Sequence, residues 1–280
     1  RFVAGRLRAF GVDEVHGGIA TSGLVGVIEG QRPGPTVGLR ADMDALPITE
    51  ATGLAHASTV PGRMHACGHD GHTAMLLGAA RYLAETRAFA GRVALIFQPA
   101  EEAGGGGGAM VDEGIMDRFG IEEVYALHTA PGMPLGHVAT RPGPFLASVD
   151  TFHVHVEASG GHAATPHEGT DPIPAALAIA QALPGIVARD RPAGARMVLS
   201  LTQIHAGATD NVIPAAAYLN GTVRCFDEAL RDLAERRLTE IVRGHAAAFD
   251  VAVRLDYLRE YPVTANDPDR VRFAAEVAAE

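Results

Sequence analysis

The sequence contains no lysine: its 23 basic residues are all arginine, set against 33 Asp and Glu, for a formal net charge of -10. So acidic a chain lacks the cationic face that phosphate backbones require, which argues against nucleic acid as a main partner. Cysteine is nearly absent. Cys67 and Cys225 are too few for a disulfide framework in 280 residues, so a reducing, cytoplasmic setting is expected. Long hydrophobic runs are missing too. No stretch reaches the roughly 18–20 unbroken apolar residues of a membrane span, and no basic segment followed by an apolar one opens the chain, so neither membrane nor secretory signal is expected. Apolar residues are nevertheless plentiful at 47%, enough for a sizeable core and two ordinary domains.

The pattern along the chain predicts an α/β fold with a mostly parallel sheet. Residues 37–40 read as a short strand running into Asp42-Met43-Asp44. Residues 72–86 carry Met75, Leu76, Ala79 and Leu83 at helical spacing. Residues 92–97 form an apolar run of buried-strand type, ending in Glu101-Glu102 and five glycines. A helix over 109–116 and a strand over 124–127 follow, the latter ending at His128. In such sheets ligands bind at the carboxyl ends of the strands. Three predicted strands end at Asp42/Asp44, Glu101/Glu102 and His128, which points to one site. Beyond Pro142-Gly143-Pro144 the pattern changes. The order strand, helix, strand, strand, helix, strand over 147–258 predicts a ferredoxin-like α+β module. The expected organisation is therefore a metal-binding domain at 1–146, the module at 147–258, and a returning segment at 259–280.

The chemistry is concentrated in the first 130 residues. Residues 65–72 hold three histidines, Cys67 and Asp70, and imidazole with thiolate suits zinc and other late first-row metals. Glu101-Glu102 is a carboxylate pair whose repulsion a cation would relieve, leaving one glutamate to bind metal and the other to accept a proton. Read alone, an acidic pair is more often a solvated loop, and His128 is more often a hydrogen-bonded core residue than a ligand. His162 reads alone as a loop cap, Asn211 as a turn residue and Arg224 as a surface cation. Cys225, in an apolar run, reads as a buried small hydrophobe.

Four segments occur in order: residues 39–47 (LRADMDALP), 64–70 (MHACGHD), 97–102 (FQPAEE) and 126–128 (ALH). Together with residues 161–167 and 210–214, they resemble the aminoacylase/hippurate hydrolase branch of the di-metal peptidase family. The resemblance implies a zinc-peptidase-like catalytic domain interrupted by a lid or dimerisation domain. It implies Cys67, His69, Glu102 and His128 as metal ligands, with Cys67 bridging two divalent ions (zinc, manganese, cobalt or nickel). It gives Glu101 as general base and Asp44 as a carboxylate orienting a ligand. His162 would reach a partner subunit's site to steady the oxyanion, and Asn211 and Arg224 would hold the substrate carboxylate. The family's last ligand, a histidine in the returning segment, lies beyond Glu280. The resemblance thus implies a chain truncated against the family, with activity belonging to the longer protein.

The expected activity is hydrolysis of N-acyl amino acids by metal-activated water, in a homodimer formed through the lid. Two other readings stay open: a di-metal dipeptidase or exopeptidase of the same fold, and a metal-binding relative without catalysis. Both Glu101 and Glu102 are present, which favours catalysis over simple binding.

Overall fold

Residues 24–28 and 93–97 are apolar and almost wholly buried, and they set the middle of the first sheet. The computed structural model describes residues 1–280, which divide into two units, Arg1–Leu135 and Gly136–Glu280. The first contains α1 (Phe2–Ala9), β1 (Glu14–Ile19), β2 (Gly23–Glu29), β3 (Arg32–Asp42), α2 (His69–Thr86), β4 (Ala90–Gln98), α3 (Gly106–Asp112), α4 (Ile115–Phe119) and β5 (Ile121–Ala126).

Its five strands lie in the order β1-β2-β4-β3-β5. β3 runs parallel to β4 and β5, with Asp42 opposite Gln98 and Arg40 opposite Ala126, so all three strands release their chains at one edge. The remaining pairings, β1–β2 and β2–β4, are antiparallel. The sheet is therefore mixed rather than mostly parallel. The unread hairpin turns through Ala20 and Thr21, both at positive φ. Such turns are normally signalled by Gly or Asn, which is why the sequence pattern did not announce it.

Helices cover both faces. Val3 and Leu7 of α1 and Leu76, Ala80 and Ala84 of α2 pack on Leu24, Ile28, Leu95 and Phe97. Met110, Ile115 and Phe119 pack on Val25, Val27, Ala94 and Ile96. The buried stripe of α2 is His69, His72, Leu76, Ala80 and Ala84, while Met75 is exposed. Two histidines hold the helix face that hydropathy assigns to apolar side chains, so the apolar pattern alone starts the helix late and shifts its stripe. The helix expected over 109–116 is two helices, broken at Gly114 with φ 79. Three of the five tract glycines, Gly106, Gly107 and Gly108, are the first turn of α3 rather than a loop.

The second unit contains β6 (Gly143–Leu146), β7 (Val149–Glu157), β8 (Gly161–His162), α5 (Pro172–Ala182), β9 (Met197–Ala206), β10 (Val212–Ile213), β11 (Ala216–Cys225), α6 (Glu228–Ala248), β12 (Ala252–Tyr261), β13 (Thr264–Asn266) and α7 (Pro268–Ala279). The sheet order β12-β7-β11-β9 is antiparallel throughout, the ferredoxin-like arrangement expected. Asp171 and Asp227 cap α5 and α6 by accepting from Ile173 and Leu230 N–H. Ala175, Ala176 and Ile179 of α5 and Leu230, Ala234, Leu238 and Val242 of α6 bury one sheet face with Phe152, Val154, Leu219 and Val223.

The segment Pro172–Asp190, 19 residues with hydropathy 1.3, is long and apolar enough by composition to cross a membrane. Its small and branched residues instead pack into the module core through Ala175, Ile179, Leu183 and Ile186. The module expected over 147–258 lies within the second unit, Gly136–Glu280. β13 pairs with β6, so residues 143–146 and 264–266 lie side by side, and both flanks group with the second unit.

Candidate metal centre

The site is built where β3, β4 and β5 end and α2 begins. Gly68 caps α2 with φ 82, and a Cβ there would sit 2.5 Å from Thr129 Oγ1, so only glycine lets the Cys67–His69 turn approach the β5 loop. The turn delivers His69 fully buried. Its Nδ1 lies 3.3 Å from Asp44 Oδ1. Its Nε2 lies 3.7 Å from Asp42 Oδ2, 3.7 Å from Glu102 Oε1 and 3.8 Å from Glu101 Oε2. Cys67 Sγ is 3.5 Å from His128 Nε2. Nδ1–H of His128 donates to the Thr129 carbonyl at 2.7 Å, which fixes the tautomer and leaves the Nε2 lone pair facing the thiol.

The carboxylates divide electrostatically. Burial raises the pKa of Glu101, and neighbouring Glu102 raises it further. Burial also opposes ionisation of Asp44, but N–H donation from Glu102 and Glu101 outweighs it and holds Asp44 below the usual carboxylate range. Burial pushes the Cys67 thiol up to about 11, with Glu102 adding to the effect.

A cation fits this set. His69 Nε2 and Glu102 Oε1 are buried with no hydrogen-bond partner. Orphaned buried polar atoms cost about 1–3 kcal/mol each, and a shared cation removes that cost. The donors converge as Cys67/His69/His128 and as His69/Glu101/Glu102, each set within 4.8 Å, with His69 common to both. Sulfur, imidazole and carboxylate together are the chemistry of zinc and related metals.

The structure thus brings together Cys67, His69, Glu101, Glu102, His128 and Asp44. His65 and Asp70 of the same motif are exposed and take no part. Sequence reasoning put Asp42 at a strand end of the site and His72 in the histidine motif but gave neither a role of its own; the two are buried and paired at 2.6 Å. The available signal was His72 lying one turn beyond His69 on the helix face.

The other three expected residues lie in the second unit. His162 is opposite Val212 in the β8–β10 ribbon, and Ala163 N–H donates to the Asn211 carbonyl at 3.2 Å, so His162 and Asn211 form one exposed corner. Arg224 is elsewhere, at the far end of β11, donating to Thr222 Oγ1 at 2.6 Å. About 26 Å of strand separates it from Ala216, at roughly 3.3 Å per residue.

Imidazole, a cysteine sulfur and paired carboxylates at the carboxyl edge of an α/β sheet define the class, a metal-dependent hydrolase. Comparison with known proteins agrees. The profile of peptidase family M20/M25/M40 matches residues 38–280. Thermostable carboxypeptidase 1 of Saccharolobus solfataricus is 43% identical over 273 residues, covering 96% of this chain and 69% of that protein. Hippurate hydrolase of Campylobacter jejuni is 39% identical over 280 residues, covering 100% and 73%. The solved structure of Bacillus subtilis YXEP protein, a dinuclear metal-binding peptidase of the same family, superposes with TM-score 0.81 at 33% identity, covering 99% and 73%. The chain belongs to peptidase family M20/M25/M40, among its amidohydrolases.

Proposed function

We propose that this protein hydrolyses the amide bond of N-acyl amino acids. The observation carrying this reading is the convergence on buried His69 of Glu101 and Glu102, at 3.8 and 3.7 Å, and of Cys67 and His128, so that one carboxylate is left over beside a ligand set. Cys67, His69, Glu102 and His128 would hold two divalent ions. Such ions supply Lewis acidity and bring the pKa of water from 15.7 toward about 7. Glu101, its proton affinity raised by burial, would take the proton of the attacking water and hand it to the leaving amine. Asp44 holds the Glu102 backbone and the His69 ring and so keeps their spacing.

His162, Asn211 and Arg224 would act on the oxyanion and the substrate carboxylate. One module holds His162 and Asn211 at one corner and Arg224 at the opposite end of the sheet. The three could therefore serve one substrate only if two copies contribute. A homodimer through this module is supported by β9, a ten-residue edge strand without a charged side chain. Such an edge needs a partner or protection.

The test is Glu101→Gln, assayed on N-acetyl and N-benzoyl amino acids. Metal content should stay near normal while turnover falls about 100–10,000-fold; unchanged turnover rejects the assignment. A second reading, cleavage of a C-terminal residue from a peptide, is favoured by the 43% identity to a carboxypeptidase. A panel contrasting acyl amino acids with peptides separates the two.

A further inference from the structure

We infer that His72 is a positioning residue of the metal centre: buried Asp42 sets its tautomer, and its ring fixes the Thr129 backbone that aims His128. The inference rests on the reading of His128 as a metal ligand.

The geometry runs from β4 to the loop after β5. Arg40 donates through Nε to Gln98 Oε1 at 2.8 Å, and its Nη1 lies 2.8 Å from Asp42 Oδ2. The other Asp42 oxygen is 2.6 Å from His72 Nδ1, and Thr73 Oγ1 donates to the Asp42 carbonyl at 3.0 Å. Asp42 and His72 are 1% and 2% exposed, so water does not compete for these contacts. At the far side of the ring, Thr129 N–H donates to His72 Nε2 at 2.9 Å. A nitrogen that accepts carries no proton. The single proton of a neutral His72 therefore sits on Nδ1 and is donated to Asp42. Thr129 is gripped on its N–H by His72, and its carbonyl grips His128 Nδ1–H at 2.7 Å. The outcome is one orientation of the His128 ring, with Nε2 toward Cys67.

Asp42, His69 and His72 also stand close enough to suggest a cation site. Both ring nitrogens of His72 are already engaged, which assigns it to positioning rather than ligation. Outer partners that orient metal-binding histidines typically change metal affinity 10–100-fold when removed.

Two substitutions at this position separate positioning from mere packing. In His72→Asn the amide can still donate to Asp42 but does not reach Thr129. In His72→Gln the longer side chain can place its oxygen where Nε2 accepts from Thr129. Cobalt(II) added to the chelator-stripped protein reports affinity and ligand geometry in its visible spectrum. Expected is a 10–100-fold loss of affinity with an altered spectrum for His72→Asn, largely restored in His72→Gln. A folded His72→Asn variant with native cobalt affinity and spectrum overturns the inference. So does equal loss in both variants, which packing alone would produce.

His128→Ala separates this idea from the reading beneath it. If that variant binds cobalt normally, the ligand reading fails and the inference falls with it. If it loses cobalt while His72→Asn does not, only the inference falls. Should neither His72 variant fold, nitrogen-15 NMR of the metal-free wild type decides. Protonated Nδ1 with bare Nε2 supports the inference, and a protonated Nε2 overturns it.

Discussion

The backbone N–H of Glu102 donates to Asp44 Oδ2 at 3.0 Å, while Asp44 Oδ1 faces His69 Nδ1 at 3.3 Å. One carboxylate thus ties the end of β4 to the start of α2. Asp44→Asn keeps the shape but weakens both contacts. We expect about 10–100-fold weaker metal binding and a comparable loss of turnover, with thermal unfolding little changed. Calorimetric metal titration beside a melting curve checks this; a variant with native metal affinity contradicts it.

Two glycines of the tract, two residues apart, should respond oppositely to alanine. A Cβ on Gly106 would lie 1.8 Å from the Pro99 carbonyl oxygen, next to Ala100, itself held at φ 50. Gly106→Ala should cost about 1–3 kcal/mol and lower turnover by displacing Glu101. Gly108 is helical with nothing within 4 Å of its Cβ position. Gly108→Ala should stabilise by roughly 0.5–1 kcal/mol. Urea unfolding of the pair measures both signs, and a destabilised Gly108→Ala would count against the helix at these positions.

Acid sensitivity should have a contribution outside the site. Arg87 donates to both oxygens of Asp13, at 2.7 and 3.1 Å, and the Glu29 N–H adds a third bond. The Arg87 hydrogen bonds lead in holding Asp13 below the usual carboxylate range, against a smaller effect of burial. Its folded pKa lies below the unfolded one near 3.9. Its stabilisation is therefore complete above that value and is lost as pH falls through the folded pKa. Asp13→Asn should be destabilised at neutral pH, and less so in acid as Asp13 takes up its proton. An equal gap at neutral and acid pH would show that the pair's charge is not responsible.

The second unit should unfold more easily when its buried ion pair is split. Arg231 Nε donates to Asp150 Oδ1 at 2.7 Å, and Tyr257 OH donates to Oδ2 at 2.7 Å. Asp150 and Arg231 are both buried. Arg231→Met strands the carboxylate and should cost about 3–5 kcal/mol. Tyr257→Phe removes one hydrogen bond to a charged group and should cost roughly 1.5–3 kcal/mol. Hydrogen exchange in β7 and β12 would register both losses; protection unchanged in Arg231→Met would refute the pair's importance.

Much of this was legible because each clue was local. Glu101, Glu102 and His128 follow apolar runs of strand length, and the parallel register of β3, β4 and β5 sends all three chains to one edge. The ferredoxin-like module was legible from alternation in β7 and the helical spacing of α6. Asp42 and His72 were not assigned, because their meaning is a pairing across 30 residues that leaves no periodic trace. The β1–β2 hairpin was missed because Ala20 and Thr21 take turn conformations that sequence signals reserve for other residues. Arg224 was grouped with Asn211 by motif, and only the strand register reveals that β11 carries it away from that corner.

The pairing of β6 with β13 bears on how this protein could have been assembled. Leu146 and Thr264 are neighbours across a ladder, so the chain leaves for the α+β module and comes back at almost the same point. A module with adjoining ends adds little loop-closure entropy to whatever hosts it. Joined ends of this kind let a module vary in length or sequence between them without moving the points where it is entered and left.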